Sequence, residues 1–450
     1  MYYFKLNQGK IYLMIMLLLV LLLTHLVPTI RTAVQGTPIL GSETFYHLNN
    51  EQNPTSFYEQ IIHFIISKIG VIKTINYLPL LLAIISLLLF STIIKYYLET
   101  DTQYYYAILL LITSPVFLTS HIGLTTTSII TSFSLISFWL YKKKSYFYLI
   151  SLAFLFLINP LIGSLFSIYF IQDQFTKENW TGVGILISAS LVFITTSLTQ
   201  SLNQNVLATN LMTLNINDMF YFFGADYGLT IILFLLTIIG LQLNAREYFK
   251  ETLISVFVIF FTFIYKPARL LGFLMIVYFA STTIDYIVKK RWESKLIKQL
   301  TIILIICLII FSTTTFIQDG LVKPPTKNQI QTLKFIAEDK ASLQNKILVL
   351  PQEAEFTRYY SNKNIIASEY STNNKTDLVK KLYLSRTYTW IKPVLQKEKV
   401  AFILIDSEVM NLLKKPDEGL LFIMNHNDDF VKITDLNDVK LYYFKEWNQD

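Results

Sequence analysis

The chain has 450 residues, 53% of them hydrophobic and only 15% charged, where an ordinary soluble protein carries roughly 25% charged residues. Its net charge of +7 sits in basic clusters between long apolar runs, which excludes nucleic-acid binding as its origin and marks an integral membrane protein. The single cysteine, Cys307, lies within an apolar run, so the sequence holds no disulfide framework.

Eleven apolar segments approach the roughly 20 residues needed to cross a bilayer. They fall near 11–27, 78–97, 104–120, 124–141, 146–158, 161–171, 182–200, 228–243, 252–265, 268–288 and 299–317. The first resembles a signal peptide, with Lys5 and Lys10 ahead of it. Its flank, Pro28-Thr29-Ile30-Arg31, lacks a small-residue cleavage site, so it reads as a retained span. Segments 146–158 and 161–171 are too short for two full crossings and are split by Asn159-Pro160, which predicts a broken or re-entrant pair. Irregular backbone facing lipid would leave polar groups unsatisfied, so protein should cover that break.

Lysine and arginine set the orientation. Lys5 and Lys10, Lys142-Lys143-Lys144, Arg246 with Lys250, and Lys289-Lys290-Arg291 with Lys295 all fall on one side if the count is eleven. That side is cytoplasmic. The N-terminus is then cytoplasmic, the chain resides in the cell membrane, and the C-terminal region is extracytoplasmic.

The resulting organisation is a polytopic helical membrane domain over 1–320 and a C-terminal extracytoplasmic α/β domain over 321–450. The first outer loop, 28–77, contains an amphipathic stretch at 56–69, with Phe57, Ile61, Ile65 and Ile69 on one face and Glu59, His63 and Ser67 on another. Such a helix would lie in the membrane interface. A second outer loop, Ser201 to Tyr227, carries Asp218 and Asp226, and a third holds Lys266-Pro267-Ala268-Arg269. Beyond Pro324-Pro325 the pattern predicts a helix at Asn328–Glu338, strands at Lys346–Leu350, Val400–Asp406 and Val439–Phe444, and helices near 376–397 and 407–424.

Candidate chemistry gathers on the outer face. Glu43, in Gly41-Ser42-Glu43-Thr44-Phe45-Tyr46-His47-Leu48, is a candidate general base or metal ligand; a solvated loop acid or helix cap is the plainer alternative. Tyr46 and His47 would stack on or hydrogen-bond a sugar ring, or else anchor the loop at the interface. Lys266 and Arg269 suit a lipid-linked phosphate, because the guanidinium fork matches phosphate oxygens; snorkelling to head groups is the alternative. Asp218 and Asp226 could bind a divalent cation, magnesium or manganese, or simply be solvated. No zinc spacing, Gly-rich phosphate loop or Ser-His-Asp order stands out.

This ordering resembles the GT-C membrane glycosyltransferases, the class of oligosaccharyltransferase catalytic subunits, protein mannosyltransferases and aminoarabinose transferases. Glu43-Thr44-Phe45-Tyr46-His47-Leu48 is similar to the acid-x-Tyr-Tyr-His-Leu stretch of archaeal-type members, and Asp218 to Gly224 is similar to a run such members carry before a span. The resemblance implies transfer of a sugar from a polyprenyl-phosphate carrier to an acceptor outside the cytoplasm. It makes Glu43 the loop-one catalytic acid, normally aspartate, and Arg269 the phosphate contact. Two departures stand out. Glutamate adds a methylene, and a misplacement of about 1 Å can cost about 10²-fold in rate. The outer end of the fourth span, Leu124-Thr125-Thr126-Thr127-Ser128, lacks the acid many relatives carry there. The rival readings are a non-catalytic GT-C-like scaffold and a transporter of lipid-linked substrate; the near absence of mid-span charge and of any repeat argues against transport.

Overall fold

The computed structural model describes residues 8–39, 42–49, 57–98, 100–176, 187, 231–246, 249–338, 345–371, 373–415, 417–436 and 438–446. Contacts divide the chain into two compact units, Met1–Thr29 with Pro54–Gly320, and Ile30–Asn53 with Leu321–Asp450. The sequence reading leaves 30–53 in the outer loop of the membrane domain; in the structure this segment folds with the C-terminal domain.

The first unit is helical. It takes most of α1 (Gln8–Gln35), then α3 (Phe57–Ile69), α4 (Val71–Ile94), α5 (Asp101–Ile112), α6 (Pro115–Ile122), α7 (Thr126–Lys142), α8 (Phe147–Ile158) and α9 (Pro160–Thr176). After residues outside the described set come α10 (Ile231–Ala245), α11 (Phe249–Ile264), a 3-10 turn (Lys266–Ala268), α12 (Arg269–Lys289) and α13 (Lys295–Val322). Among the described residues, four helices are long and apolar enough to cross a membrane: α1, α4, α12 and α13. The bent pair α5 and α6 makes a fifth if taken as one span. The expected span 182–200 lies, but for residue 187, outside the described residues.

The expected single span at 104–120 is instead two helices meeting at 52°. The cause is local. Pro115 removes an amide, Ser114 caps the new helix by accepting from Phe117 N at 3.0 Å, and the Thr113 carbonyl is satisfied by the Thr313 hydroxyl of α13 at 2.7 Å. The Asn159 break is likewise enclosed. Asn159 Oδ1 accepts from Ile162 N at 3.1 Å and its amide donates to the Tyr265 hydroxyl at 2.6 Å, inside a core of Phe156, Phe170, Ile130 and Ala268.

Helix-to-helix contacts use small polar side chains, as expected where lipid offers no hydrophobic drive. Ser86 meets Ser132 at 2.9 Å between α4 and α7, and Ser137 meets Ser151 at 2.8 Å between α7 and α8. Thr283 of α12 donates to the Leu236 carbonyl of α10 at 2.6 Å. Beside it, Gly240 lets the backbones touch: a β-carbon there would stand 2.1 Å from the Phe279 carbonyl oxygen.

Helix α3 forms where expected but turns a different face inward. Glu59, Ile62 and Ile66 are buried, while Phe64 and Ile69 are exposed and Ile61 and Ile65 lie between. The cause is that isoleucine occupies 61, 62, 65, 66 and 69, so the helix has two apolar stripes. The one carrying Ile62 and Ile66 packs on α4 and α8.

The second unit is α/β. Its elements are α2 (Ser42–Asn49), α14 (Lys327–Glu338), β1 (Lys346–Leu348), α15 (Ala354–Ser361), β2 (Asn364–Ile365), α16 (Asn373–Leu384), α17 (Tyr388–Lys397), β3 (Val400–Asp406), α18 (Ser407–Leu413), α19 (Gly419–His426), β4 (Phe430–Leu436) and β5 (Val439–Phe444). The sheet order is β2-β1-β3-β5-β4, with β1 parallel to β2 and β3, and β5 antiparallel to β3 and β4. Every residue of β3 is buried, as suits a central strand. Tyr383 fastens α16 to the sheet, its hydroxyl 2.9 Å from both the Leu348 and Leu404 carbonyls.

Candidate functional site

Glu43 stands in the first turn of α2, where a carboxylate favours the helix dipole. Thr44, Phe45, His47 and Leu48 form the buried side of this helix. Glu43 and Tyr46 are three apart and so share the other side. The Glu43 side chain keeps 20% of its surface in contact with solvent. His47, one turn on, is 5% exposed and brings Nε2 to 3.8 Å from the Glu43 carboxylate. His47 is thus enclosed beside the acid, while the Tyr46 ring is stacked on Tyr370 with centroids 4.0 Å apart.

The C-terminal domain builds the surroundings. Phe45, wholly buried, enters an aromatic box of Phe356, Tyr359 and Tyr360, with centroids 6.2, 5.4 and 5.7 Å away. The Asn49 amide donates to both the main-chain carbonyl and the carboxylate of Glu355 at 2.9 Å. Ser42 Oγ donates to the Glu369 carboxylate at 2.7 Å. Upstream, the wholly buried Arg31 donates to the Ile39 carbonyl at 3.1 Å and the Pro325 carbonyl at 3.2 Å, and the Tyr360 hydroxyl bonds Thr37 at 3.1 Å. Burial pushes the Tyr370 phenol well up, and the nearby carboxylates of Glu43, Glu369 and Glu355 add to the shift while the Ser42 hydroxyl opposes it. The site therefore joins a part-exposed carboxylate, a stacked tyrosine pair and an enclosed imidazole. A carboxylate so placed can take a proton from, or orient, an acceptor nucleophile.

Residues Lys266 and Arg269 belong to the membrane unit. The 3-10 turn Lys266–Ala268 runs directly into α12, whose first residue is Arg269. Tyr265, Pro267 and Ala268 are buried around it, and Arg269 is half-buried. A guanidinium at a helix N-terminus combines fixed charge with the positive end of the helix dipole, the arrangement that favours a phosphate. The Lys266 side chain, Asp218 and Asp226 lie outside the described residues. Among the described residues no group of three or more His, Cys, Asp or Glu side chains is placed to hold a metal ion. Thr125, at the start of α7, accepts from Ser128 N at 3.3 Å and donates to the Ser120 carbonyl at 2.7 Å, the work of a helix cap.

The residues that sequence reasoning missed are Glu355, Glu369 and Tyr370. Each is more than 300 positions from α2, and no local pattern links them to it. The turn Ser368-Glu369-Tyr370-Ser371 did carry a signal of rigidity in its flanking serines.

The fold is that of the GT-C glycosyltransferases. Two of the similar solved structures align over nearly the whole chain. The Archaeoglobus fulgidus oligosaccharyltransferase, tethered to an acceptor peptide containing the NVT sequon, aligns over 99% of this chain and 75% of its own with a TM-score of 0.57 at 10% identity. ArnT from Cupriavidus metallidurans, bound to undecaprenyl phosphate, aligns over 96% of this chain and 97% of its own with a TM-score of 0.51 at 8% identity. At these identities the fold is what is shared. No protein-family model and no curated protein sequence matches the chain.

Proposed function

We propose that this chain is a membrane glycosyltransferase that moves a sugar from a polyprenyl-phosphate carrier to an acceptor on the extracytoplasmic side, with Glu43 as the catalytic carboxylate. The observation that carries the reading is the part-exposed carboxylate on a helix fixed at both ends, in a chain with the GT-C fold. The ArnT structure holds undecaprenyl phosphate and the oligosaccharyltransferase structure an acceptor peptide, which supports a lipid-linked donor here.

The reaction asks little covalent chemistry of the protein. The acceptor nucleophile attacks the sugar carbon, the bond from that carbon to the phosphate oxygen breaks, and the carrier phosphate departs with the electron pair. Glu43 takes the proton released by the acceptor or orients its lone pair. Arg269 and Lys266 hold the phosphate, whose charge grows as the bond breaks. Tyr46 borders the carboxylate and offers an aromatic surface to a sugar. In this reading the N-terminus is cytoplasmic and the C-terminal domain extracytoplasmic. The test is transfer of labelled sugar by the purified chain in lipid, with Glu43→Gln as the partner that keeps shape and removes the base.

A further inference from the structure

We infer that the C-terminal domain positions Glu43, with Tyr370 and Glu355 as the positioning residues that fix its carboxylate; the inference rests on Glu43 being the catalytic carboxylate. The reactive group encoded in the first outer loop is thus carried by the domain encoded at the other end of the chain.

Helix α2 has eight residues, far below the length at which an isolated helix is stable in water. Its order must come from what it packs against. The ties run along its whole length: Ser42 to Glu369 at the first turn, Phe45 into the aromatic box, Tyr46 on Tyr370, and Asn49 to Glu355 at the last turn. Pins at both ends fix translation along the axis, and the stacked ring fixes rotation about it. A slip of one residue would move the carboxylate by about 1.5 Å along the axis and swing it by roughly 100°.

The partner groups are themselves held. Ser371 N donates to the Ser368 carbonyl at 3.0 Å, and Ser368 N to Ser371 Oγ at 2.9 Å. Glu369 N donates to the Pro351 carbonyl at 3.2 Å, in the segment leaving β1. Position is therefore relayed from the sheet, through Pro351 and the Ser368–Ser371 turn, to Tyr370 and Tyr46, and so to the acid one turn away. Glu355, on α15 beside the box residue Phe356, supplies the second pin through both a main-chain and a carboxylate oxygen.

The test uses the full-length protein in lipid nanodiscs. Donor is undecaprenyl-phosphate-linked hexose, and an envelope extract of the source cells supplies the acceptor. Tyr370→Ala should lower kcat by about 10- to 100-fold, the scale of an ångström-level misplacement, with the donor KM within about twofold of wild type. Tyr370→Phe keeps the stack and should restore kcat to within about threefold. Glu355→Ala removes one of the two acceptors of Asn49, and carries the test if Tyr370→Ala does not fold. It should resemble Tyr370→Ala in direction, with Glu355→Gln recovering activity. Leu384→Ala, an exposed position on α16, should change nothing. Hydrogen exchange of the amides at 42–49 gives a readout that needs no turnover: Tyr370→Ala and Glu355→Ala should speed it at least tenfold while β3 stays protected. Wild-type kcat and wild-type protection of 42–49 in both alanine variants would overturn the inference. Wild-type transfer by Glu43→Gln would instead overturn the catalytic reading, and the exchange data would still report on the positioning of α2.

Discussion

Replacing Glu353 by glutamine should remove a pH dependence from the stability of the C-terminal domain. Glu353 is 1% exposed, and its Oε1 accepts from the Gln329 amide at 3.2 Å. The same amide nitrogen donates to Asp406 Oδ2 at 2.7 Å, while Asp406 Oδ1 caps α18 by accepting from Val409 N at 3.0 Å. Burial and the facing Asp406 hold the Glu353 carboxyl well above the usual carboxylate range, with Glu408 adding and Gln329 opposing. A group raised in the folded state keeps its proton there after the unfolded chain has lost it. Its stabilising contribution is therefore complete below the unfolded value of about 4.3 and is lost as pH rises toward the folded value. One such proton sets a slope of at most about 1.4 kcal/mol per pH unit. Glutamine has nearly the same shape, still accepts from Gln329, and carries no proton to lose. Thermal unfolding of the full chain in detergent from pH 5 to 8 reads the difference. Wild type should lose stability with rising pH relative to Glu353→Gln, and the variant should be the more stable at pH 8. Parallel curves would refute the raised Glu353 carboxyl as the source of the pH dependence. Glu408, also raised by burial and Asp406, contributes with the same sign in both proteins.

Other parts of the account make further demands. Gly240→Ala forces α10 away from α12, because the new methyl would lie 2.1 Å from the Phe279 carbonyl oxygen; the cost should be at least the roughly 1–3 kcal/mol of ordinary overpacking, read as a lowered melting temperature, and an unchanged one would refute the close approach. Arg269→Ala should weaken carrier binding tenfold or more, measured with labelled undecaprenyl phosphate, and unaltered binding would remove Arg269 from the phosphate contact. In a Cys307→Ser background, cysteines at Lys143 and Asn374 should be labelled by an impermeant reagent from opposite sides of the membrane; labelling from one side would sink the orientation.

The sequence reveals long-range order where a physical periodicity is strong. Span-length apolar runs located α1, α4, α12 and α13, and the continuous apolar run Val400–Ile405 and the short strand pattern of Val439–Phe444 located two inner strands of the sheet. It was silent where partners are distant or faces are balanced. Within 42–49 the sequence offered only the helix-cap alternative for Glu43, since the order of this helix comes from Phe356, Tyr360, Tyr370 and Glu355. The five isoleucines of α3 left its buried face undecided, and only packing on α4 and α8 chose between the stripes. Strand β4 went unread because it is a sheet edge whose Val431, Lys432 and Ile433 are all exposed, which erases the alternation a half-buried strand would show. The turn carrying Arg269 was legible as a short basic loop; its enclosure by Tyr265 and Asn159 was not.

The central claim is that Glu43 does chemistry. Its most direct test is the rate of labelled-sugar transfer from undecaprenyl- and dolichyl-phosphate-linked hexose by the purified chain in lipid, wild type against Glu43→Gln, with carrier binding measured alongside. The account predicts transfer by wild type, a fall of at least about 100-fold in Glu43→Gln, and carrier affinity unchanged between the two. Equal transfer by both proteins, or none by wild type from either carrier, would contradict it.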